Sequence, residues 1–444
     1  MGRFGFQSPY PLAALLLINT LLLGYGPSQS DFFRILAGYL PFWGLAYWAY
    51  RRSHTETDVY FFLGLAALLR LSLLPALPLL SDDLYRFIWD GRLLVAGYNP
   101  FDQLPIHYLD RGIPGIDRAL FDELNSPEYF TIYPPVAQGI FAIACWLFPG
   151  SIWGSTVVMK AFLLAFECGS LYLLPLLLRH FQLPLKNALL YALNPLVIIE
   201  VSGNLHFEGA MVFFLLLAIW YLLQEHWWRS ALALALSIAA KLLPLIFLPL
   251  LLRRLGWWRS LRYYLVVGLA VLLLFAPLMS GVFLANFGDS LDLYFRRFEF
   301  NASLYYLLRW VGYQLSGYNL IAYLGPSLAG VVLLGVLTYT LLERLPNWKN
   351  LPQAMLFAIV LYLFCTTTVH PWYTILPVVL CLFTPYRFPI LWSALIGLTY
   401  ANYWGAEYSE VLGLVALEYG LVGILLLAEW RGLDAAKRLG RNRS

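Results

Sequence analysis

Long apolar stretches separated by short polar connections repeat from one end of the chain to the other. They fall near residues 11–26, 33–50, 58–80, 136–149, 153–178, 187–202, 208–223, 230–252, 262–284, 318–342, 353–370, 372–384, 388–404 and 409–428. Because a membrane-crossing helix needs about 20 mostly apolar residues, the pattern predicts an all-α polytopic membrane protein with about 12 to 14 transmembrane or re-entrant helices. Segment 136–149 is short, and we expect it to re-enter or tilt.

Composition agrees with this class. The 444 residues are 61% hydrophobic and only 12% charged, whereas soluble domains contain about 25% charged residues. The basic residues lie at the flanks of apolar segments, at Arg51 and Arg52, at Arg253, Arg254, Arg259 and Arg262, and in the tail 431–444. Such flanks face the cytoplasm under the positive-inside rule. This scattered placement also argues against a nucleic-acid partner.

Two polar connections are long, residues 81–135 and 285–303, and long loops are where function concentrates. The first opens with "SDDLYRFIWDGRLLVAGYNPF". We expect a helix over 82–96, with Ser81 as N-cap and Gly97 at its end. Helical spacing places Asp83, Arg86, Phe87 and Asp90 on one side of it. A capped surface helix with solvated charges is the simplest interpretation.

The same helix could also carry chemistry. A carboxylate can accept a proton from a hydroxyl nucleophile, and an arginine one turn away can bind a phosphate. Aromatic neighbours can stack on a sugar or lie at the bilayer interface. This combination at a membrane edge suits glycosyl transfer from a sugar linked to a lipid phosphate.

The basic flanks predict which segments lie on each side of the membrane. If Arg51 and Arg52 are cytoplasmic, both long connections are non-cytoplasmic. If 136–149 re-enters, "RHFQLPLK" (179–186) lies with the basic flanks, and "GNLHFEG" (203–209) joins the acidic loop. A true crossing by 136–149 would exchange these two segments. We prefer the re-entrant arrangement.

Several motifs occur in a characteristic order between about residues 58 and 385. They are Asp82-Asp83, Gly97, Asn99-Pro100-Phe101, Tyr133-Pro134-Pro135, "NPLVIIEVSGNLHFEGA" (194–210), "KLLP" (241–244), "FEFNASLYYLLR" (298–309) and "VHPWY" (369–373). In this order the chain resembles GT-C glycosyltransferases, which use polyprenyl- or dolichyl-phosphate sugars. It is most similar to bacterial mannosyltransferase-like proteins and to the catalytic subunit of GPI mannosyltransferase I.

The resemblance implies a GT-C-type bundle with a long first outer loop and an inverting hexosyl transfer, with mannose as the sugar. It divides the chain into N-terminal helices (1–57), a catalytic core (58–385) and C-terminal helices with a basic tail (386–444). It implies Asp83 as general base with Asp82 as the alternative, Arg86 and Lys241 at the donor phosphate, and sugar or acceptor contacts from Tyr133, His206, Glu208, His370 and Tyr373. No metal site or cofactor is required, although a divalent cation could bind Asp82 and Asp83.

The expected partners are membrane lipid, a polyprenyl-phosphate sugar donor and a lipid or glycan acceptor, at the non-cytoplasmic face of the cell (inner) membrane. Each residue has a purely structural alternative: a snorkelling lysine for Lys241, a satisfied polar turn for His206 and Glu208, and an interfacial belt for His370 and Tyr373. Rival functions are a lipid-linked sugar transporter or flippase, a glycan polymerase or ligase with a diphosphate-linked donor, and a non-catalytic scaffold.

Overall fold

The structure, a computed structural model, describes residues 8–344, 346–405 and 408–441. It confirms the all-α class. The first seven helices are α1 (Tyr10–Tyr25), α2 (Phe32–Arg52), α3 (Glu56–Ser72), α4 (Asp83–Val95), α5 (Arg118–Asp122), α6 (Pro135–Leu147) and α7 (Ile152–His180). The next six are α8 (Leu189–Ala192), α9 (Pro195–Val197), α10 (Glu208–Leu223), α11 (Trp227–Ala240), α12 (Leu248–Leu255) and α13 (Trp257–Phe275). The last seven are α14 (Phe283–Arg296), α15 (Leu304–Ser316), α16 (Ile321–Leu342), α17 (Leu351–Cys365), α18 (Ile375–Cys381), α19 (Phe388–Leu395) and α20 (Leu412–Arg441).

Among the described residues, four helical segments are long and apolar enough to cross a membrane: Ile152–His180, Trp257–Leu278, Ile321–Leu342 and Leu412–Leu433. The bent pair Leu185–Ala192 and Pro195–Gly203 would make a fifth, with a bend of 49°. Shorter apolar helices account for further predicted segments. The count of 12 to 14 crossing or re-entrant segments therefore stays a prediction.

Several apolar segments that the sequence predicts as single spans are interrupted in the structure. The predicted segment 230–252 stops as an α-helix at Ala240, where Lys241 takes an extended conformation before a 3₁₀ turn that contains Pro244. Proline lacks an amide hydrogen and clashes with the preceding turn, so it ends the regular helix. The segment 187–202 breaks at Pro195 and continues as a π-helical turn, Ile198–Gly203. Such turns often occur at functional sites.

The second long connection is more regular than expected. Residues 283–296 form α14, and 304–316 form α15. Phe300, between these two helices, forms an isolated parallel bridge with Thr368, which follows α17. Asn301, the first residue of the glycosylation-like triplet Asn301-Ala302-Ser303, is fully buried. A glycan could not be attached to this side chain in the folded protein.

The longest apolar helix, α7, links the two ends of the bundle. At its start, the Trp153 Nε1 donates a hydrogen bond to the Pro75 carbonyl at 2.9 Å, close to the acidic loop. Near its end, Arg179 pairs with Glu56 at 2.7 Å, four residues after Arg52. Residues 179–186 therefore lie at the end that carries Arg51 and Arg52. We call this the basic end, and the opposite one the acidic end.

Segment 136–149 begins and ends at the acidic end. It forms α6, and the carbonyl of Phe148, the residue after this helix, accepts a hydrogen bond from the Ser155 hydroxyl at the start of α7. The turn 203–209 lies at the same end, because the Leu80 amide donates to Asn204 Oδ1 at 3.3 Å. These contacts place α6 and the turn 203–209 beside each other at the acidic end, and the re-entrant arrangement stays a prediction.

A buried ion pair joins α3 to α7. Arg70 Nε lies 2.8 Å from Glu167 Oε2, and both side chains are inaccessible to solvent. Arg70 also donates to the Ala66 and Ala192 carbonyls, and the Tyr191 hydroxyl donates to Glu167 Oε1. Removing one member of such a pair leaves an uncompensated charge in an apolar bundle.

We expect Arg70→Met to lower the free energy of unfolding by about 3–5 kcal/mol, because Glu167 would keep a buried charge without its partner. Arg34, whose pair with Asp31 is exposed, is the matched control, and Arg34→Met should cost less than about 1 kcal/mol. Thermal denaturation in detergent micelles measures both. Equal shifts for the two variants would contradict this account.

Candidate active site

A cavity of about 310 Å³ opens at the acidic end. Its walls come from the start of α4, the loop 125–133, the break after α11, the segment 370–373 and the turn 399–403. We call it the outer cavity. Six of the nine predicted site residues line it: Asp82, Asp83, Tyr133, Lys241, His370 and Tyr373. His206, Glu208 and Arg86 lie behind its walls.

Asp82 and Asp83 stand at the amino end of α4, where the helix dipole favours negative charge. The structure assigns the cap position to Asp82, not to Ser81 as expected, although Ser81 Oγ accepts a 3.4 Å hydrogen bond from the Asp83 amide. Gly97 follows the helix with a φ of +81°, the left-handed conformation that its expected role as a terminator requires. Partial burial raises the pKa of Asp82, and the carboxylates of Asp83 and Glu123 raise it further.

Asp83 faces inward and its side chain is 19% exposed. The Asn125 side-chain amide donates to Asp83 Oδ1 at 2.8 Å. The other carboxylate oxygen, Oδ2, lies 3.8 Å from the Nε2 atom of His206. One oxygen of Asp83 is thus held by a neutral donor and the other points toward an imidazole. Of the two acids, Asp83 is the more firmly positioned.

Lys241 reaches the outer cavity because its helix ends there. Its Nζ lies 2.9 Å from Glu208 Oε1 and 5.9 Å from the centre of the Tyr373 ring. Glu208 is completely buried at the start of α10, and the Lys241 side chain is 21% exposed. The helix break therefore removes the difficulty of a lysine in the middle of a span, since the ammonium group meets both a carboxylate and the cavity.

His206 is held by a carboxylate behind it. Its Nδ1 lies 3.0 Å from Glu200 Oε2 in the π-helical turn. The Tyr400 hydroxyl donates to Glu200 Oε1 at 2.7 Å, and Asn204 donates to Oε2 at 3.2 Å. The His206 ring also stacks on Trp372, with ring centres 3.6 Å apart. His206 does not line the outer cavity, so a direct contact between this side chain and a sugar stays a prediction.

Arg86 is placed differently from the expected phosphate contact. Its Nε pairs with Asp90 at 3.0 Å, and its Nη1 donates to the Ser126 and Tyr129 carbonyls. The side chain is 3% exposed and does not line the outer cavity. Residues four apart on a helix face each other, so Asp90 captures the guanidinium. Arg86 therefore anchors the loop over the cavity and is not available at its surface.

Asp90 extends this anchor to α6. The Thr131 hydroxyl donates to Asp90 Oδ2 at 2.5 Å, and the Gln138 side chain donates to the same oxygen at 2.9 Å. Tyr133 follows, with its ring 4.8 Å from Phe87. Pro134 then holds the chain extended before α6 begins. The loop that lines the cavity is thus fixed by buried polar contacts on one side and by aromatic packing on the other.

A column of stacked rings forms another wall. The Phe300 and His370 ring centres are 4.7 Å apart, and those of His370 and Trp372 are 4.6 Å apart and nearly parallel. Trp372 in turn stacks on His206. Burial lowers the pKa of His370 to about 3. The lowered pKa favours the neutral imidazole, which packs flat in the ring column, and a sugar or acceptor contact from His370 stays a prediction.

The charged residues of the second long connection lie outside the cavity. Arg296 pairs with Asp292 at 2.8 Å, and Arg297 lines a neighbouring pocket. Glu299 accepts hydrogen bonds from Tyr305, Arg309 and Asn319. These residues do not line the outer cavity and add no phosphate contact to it.

Glu200, Tyr400 and Asn125 belong to the site and are absent from the residues predicted above. Glu200 lies in the apolar run 187–202, and a charge in such a run is by default a functional hypothesis, so the sequence does carry a signal for it. Tyr400 and Asn125 had no such signal, because a tyrosine and an asparagine are ordinary near a membrane interface. Within the described ranges, no group of three or more His, Cys, Asp or Glu side chains could hold a metal ion. A divalent cation at Asp82 and Asp83 therefore stays a prediction.

The neutral state of His370 should make stability depend on pH. Its folded-state pKa is below the ordinary value, so the unfolded chain binds the proton more readily, and stability falls as pH drops below about 6.5. We expect His370→Phe, which keeps a flat ring in the column, to lose less thermal stability than the wild type between about pH 7.5 and pH 5. Identical losses would show that His370 does not titrate in this way.

Comparison with known protein families matches residues 28–256 to the family described as "Alpha-(1->6)-mannopyranosyltransferase, N-terminal domain". No curated protein matches the chain. The matched range covers slightly more than half of the chain and runs from the approach to α2 to the residue after α12. It contains Asp82, Asp83, Tyr133, Glu208 and Lys241. With this cavity and this match, the chain belongs to the alpha-(1->6)-mannopyranosyltransferase family of GT-C type glycosyltransferases.

Proposed function

We propose that this mannosyltransferase moves a mannosyl residue from a polyprenyl-phosphate sugar to a hydroxyl of a lipid or glycan acceptor, in the outer cavity. The observation that carries the proposal is the combination of an inward-facing carboxylate, Asp83, with a lysine, Lys241, on the walls of one cavity. Transfer of a sugar to a hydroxyl needs a base for the nucleophile and a cation for the departing phosphate.

The proposed step is a single displacement. Asp83 accepts the proton of the acceptor hydroxyl as its oxygen attacks the anomeric carbon. The bond from that carbon to the donor phosphate breaks, and the polyprenyl phosphate leaves beside Lys241. The configuration inverts, so a β-linked donor gives an α-linked product. The α-(1->6) linkage in the family description supports this outcome and a primary hydroxyl as nucleophile.

The charges of the cavity favour a monophosphate-linked donor. Among the described lining residues, Lys241 is the cation, and it already contacts the buried Glu208. A lipid phosphodiester carries one negative charge, which a single ammonium group can compensate. A diphosphate-linked donor would bring at least two negative charges to a wall that also holds Asp82 and Asp83. The polymerase or ligase alternative is therefore less well supported.

We further propose that the outer cavity opens on the non-cytoplasmic side of the cell membrane. Basic side chains gather at the opposite end of the bundle, where Lys186 Nζ lies 5.0 Å above the Tyr50 ring and Arg179 pairs with Glu56. Flanks rich in lysine and arginine remain in the cytoplasm. The acidic end would then meet the outer leaflet, where lipid-linked sugars that have been flipped across the membrane become accessible.

Asp83→Asn should lower kcat by roughly 10²–10⁴-fold, because the amide keeps the shape of the side chain and cannot accept the proton. Asp110 is exposed in the same outer loop, and Asp110→Asn is the matched control with wild-type kcat. Transfer from a short-chain polyprenyl-phosphate [¹⁴C]mannose to an α-mannoside, by purified full-length protein, gives the measurement. Wild-type turnover by Asp83→Asn would exclude Asp83 as the base. Donor uptake into vesicles without sugar transfer would favour a transporter.

We expect the positive charge of Lys241 to contribute to activity. The double variant Lys241→Met, Glu208→Met removes the pair together, so that no buried charge is left alone, and should lower kcat/KM by about 10- to 100-fold. Lys241→Arg keeps the charge and should retain part of the activity. Lys186→Met, at the basic end, is the control. Unchanged kcat/KM in the double variant would contradict a phosphate contact at Lys241.

A further inference from the structure

Glu200 has no role in the proposed step. Glu200 is almost completely inaccessible, yet it does not line the outer cavity. Its carboxylate accepts hydrogen bonds from Tyr400 at 2.7 Å and from Asn204 at 3.2 Å. His206 Nδ1 donates to the backbone carbonyl of Glu200 at 3.1 Å and lies 3.0 Å from Glu200 Oε2. Glu200 therefore places a carboxylate directly behind the imidazole of His206.

His206 is fixed on two sides. Glu200 binds Nδ1, and Trp372 stacks on the ring face. The hydrogen bond to Glu200 places a proton on Nδ1 in the neutral ring, so the lone pair belongs to Nε2. This Nε2 is buried without a hydrogen-bond partner in the structure and lies 3.8 Å from Asp83 Oδ2. A buried ring nitrogen left unpaired is costly, and here it points at the proposed base.

We infer that His206 is a positioning residue that takes the proton from Asp83 after glycosyl transfer, with Glu200 holding it in place. This inference rests on the proposed role of Asp83. The proton of the acceptor hydroxyl first forms the O–H bond of protonated Asp83. It then passes from Asp83 Oδ2 to His206 Nε2, which restores the Asp83 carboxylate and gives an imidazolium. The imidazolium lies between two carboxylates, and its proton returns through Asp83 Oδ2 to water in the outer cavity when the product leaves.

The surroundings support this direction of transfer. The titratable and charged groups around His206 are Glu200 behind it, Asp83 in front, Tyr400 beyond Glu200, and His370 and Lys241 across the ring column. The negative groups lie closest, at 3.0 and 3.8 Å. A short closing movement would bring the 3.8 Å separation to hydrogen-bond distance. Catalytic hydrogen bonds are often long in the absence of substrate.

The test compares two variants that change the two ends of the imidazole separately. In His206→Asn, the amide can still donate to Glu200, but nothing occupies the position of Nε2. In Glu200→Gln, the acceptor for Nδ1 remains and the negative charge is lost. His107, which is exposed in the outer loop, supplies the matched control His107→Asn. Melting temperatures in detergent verify that each variant is folded.

We expect both variants to lower kcat by on the order of 10- to 100-fold, less than the loss of a general base, because water can slowly replace the relay. KM should change by less than about twofold, since no substrate contact is removed. The loss should shrink at higher pH, where hydroxide removes the proton from Asp83. Imidazole added to His206→Gly should restore part of the rate. None of these changes should appear in His107→Asn.

Adding His206→Asn to Asp83→Asn should cause no further loss, because the two residues act in sequence. If Asp83→Asn is inactive while folded His206→Asn turns over at the wild-type rate, the relay is wrong and the proposed function stands. An active Asp83→Asn would overturn both. A raised KM with unchanged kcat would make His206 a substrate contact and would also overturn the relay. If His206→Asn does not fold, Glu200→Gln decides: wild-type kcat refutes the inference and reduced kcat supports it.

Discussion

A charged side chain inside an apolar helical bundle is stable only where it meets an opposite charge or a set of hydrogen-bond donors, and this requirement shapes the whole acidic end of the protein. Lys241 meets Glu208 at the wall of the outer cavity. Arg86 pairs with Asp90 and also binds the loop 125–133. Each pair fixes the position of a segment as well as its charge. Of these four residues, Lys241 lines the outer cavity, and the other three lie behind its walls.

Breaks in helices place polar groups at the wall of the cavity and directly behind it. Lys241 lies on the wall where α11 ends, and Glu200 lies behind it in the π-helical turn that follows Pro195. In a regular span these side chains would be aimed at neighbouring helices or lipid. At a break, the backbone turns and the side chain can face a cavity. Pro195 and Pro244 lie at these two breaks, because proline interrupts a regular helix.

The helical class, the acidic loop and six of the residues that line the cavity could be predicted from the sequence, because apolar runs and intramembrane charges are local signals. The placement of Arg86 could not be predicted. Asp83 and Asp90 lie three and four residues from Arg86 on the same helix face. Spacing alone therefore allows an Arg86 that is free to bind a phosphate or an Arg86 that is paired with Asp90. The observed pair depends on Thr131 and Gln138, which hold Asp90 from distant positions in the sequence. Tyr400 binds Glu200 across 200 positions of sequence, and no local pattern could reveal that contact.

The central claim is that the outer cavity receives a single lipid phosphate beside Lys241, with the sugar directed toward Asp83. The most direct measurement is a cryo-EM structure of the full chain in lipid nanodiscs with a short-chain polyprenyl phosphate bound. The account predicts phosphate density within about 4 Å of Lys241 Nζ, a distance set by charge-assisted hydrogen bonding. Phosphate density at Arg296 and Arg297, with an empty outer cavity, would contradict it.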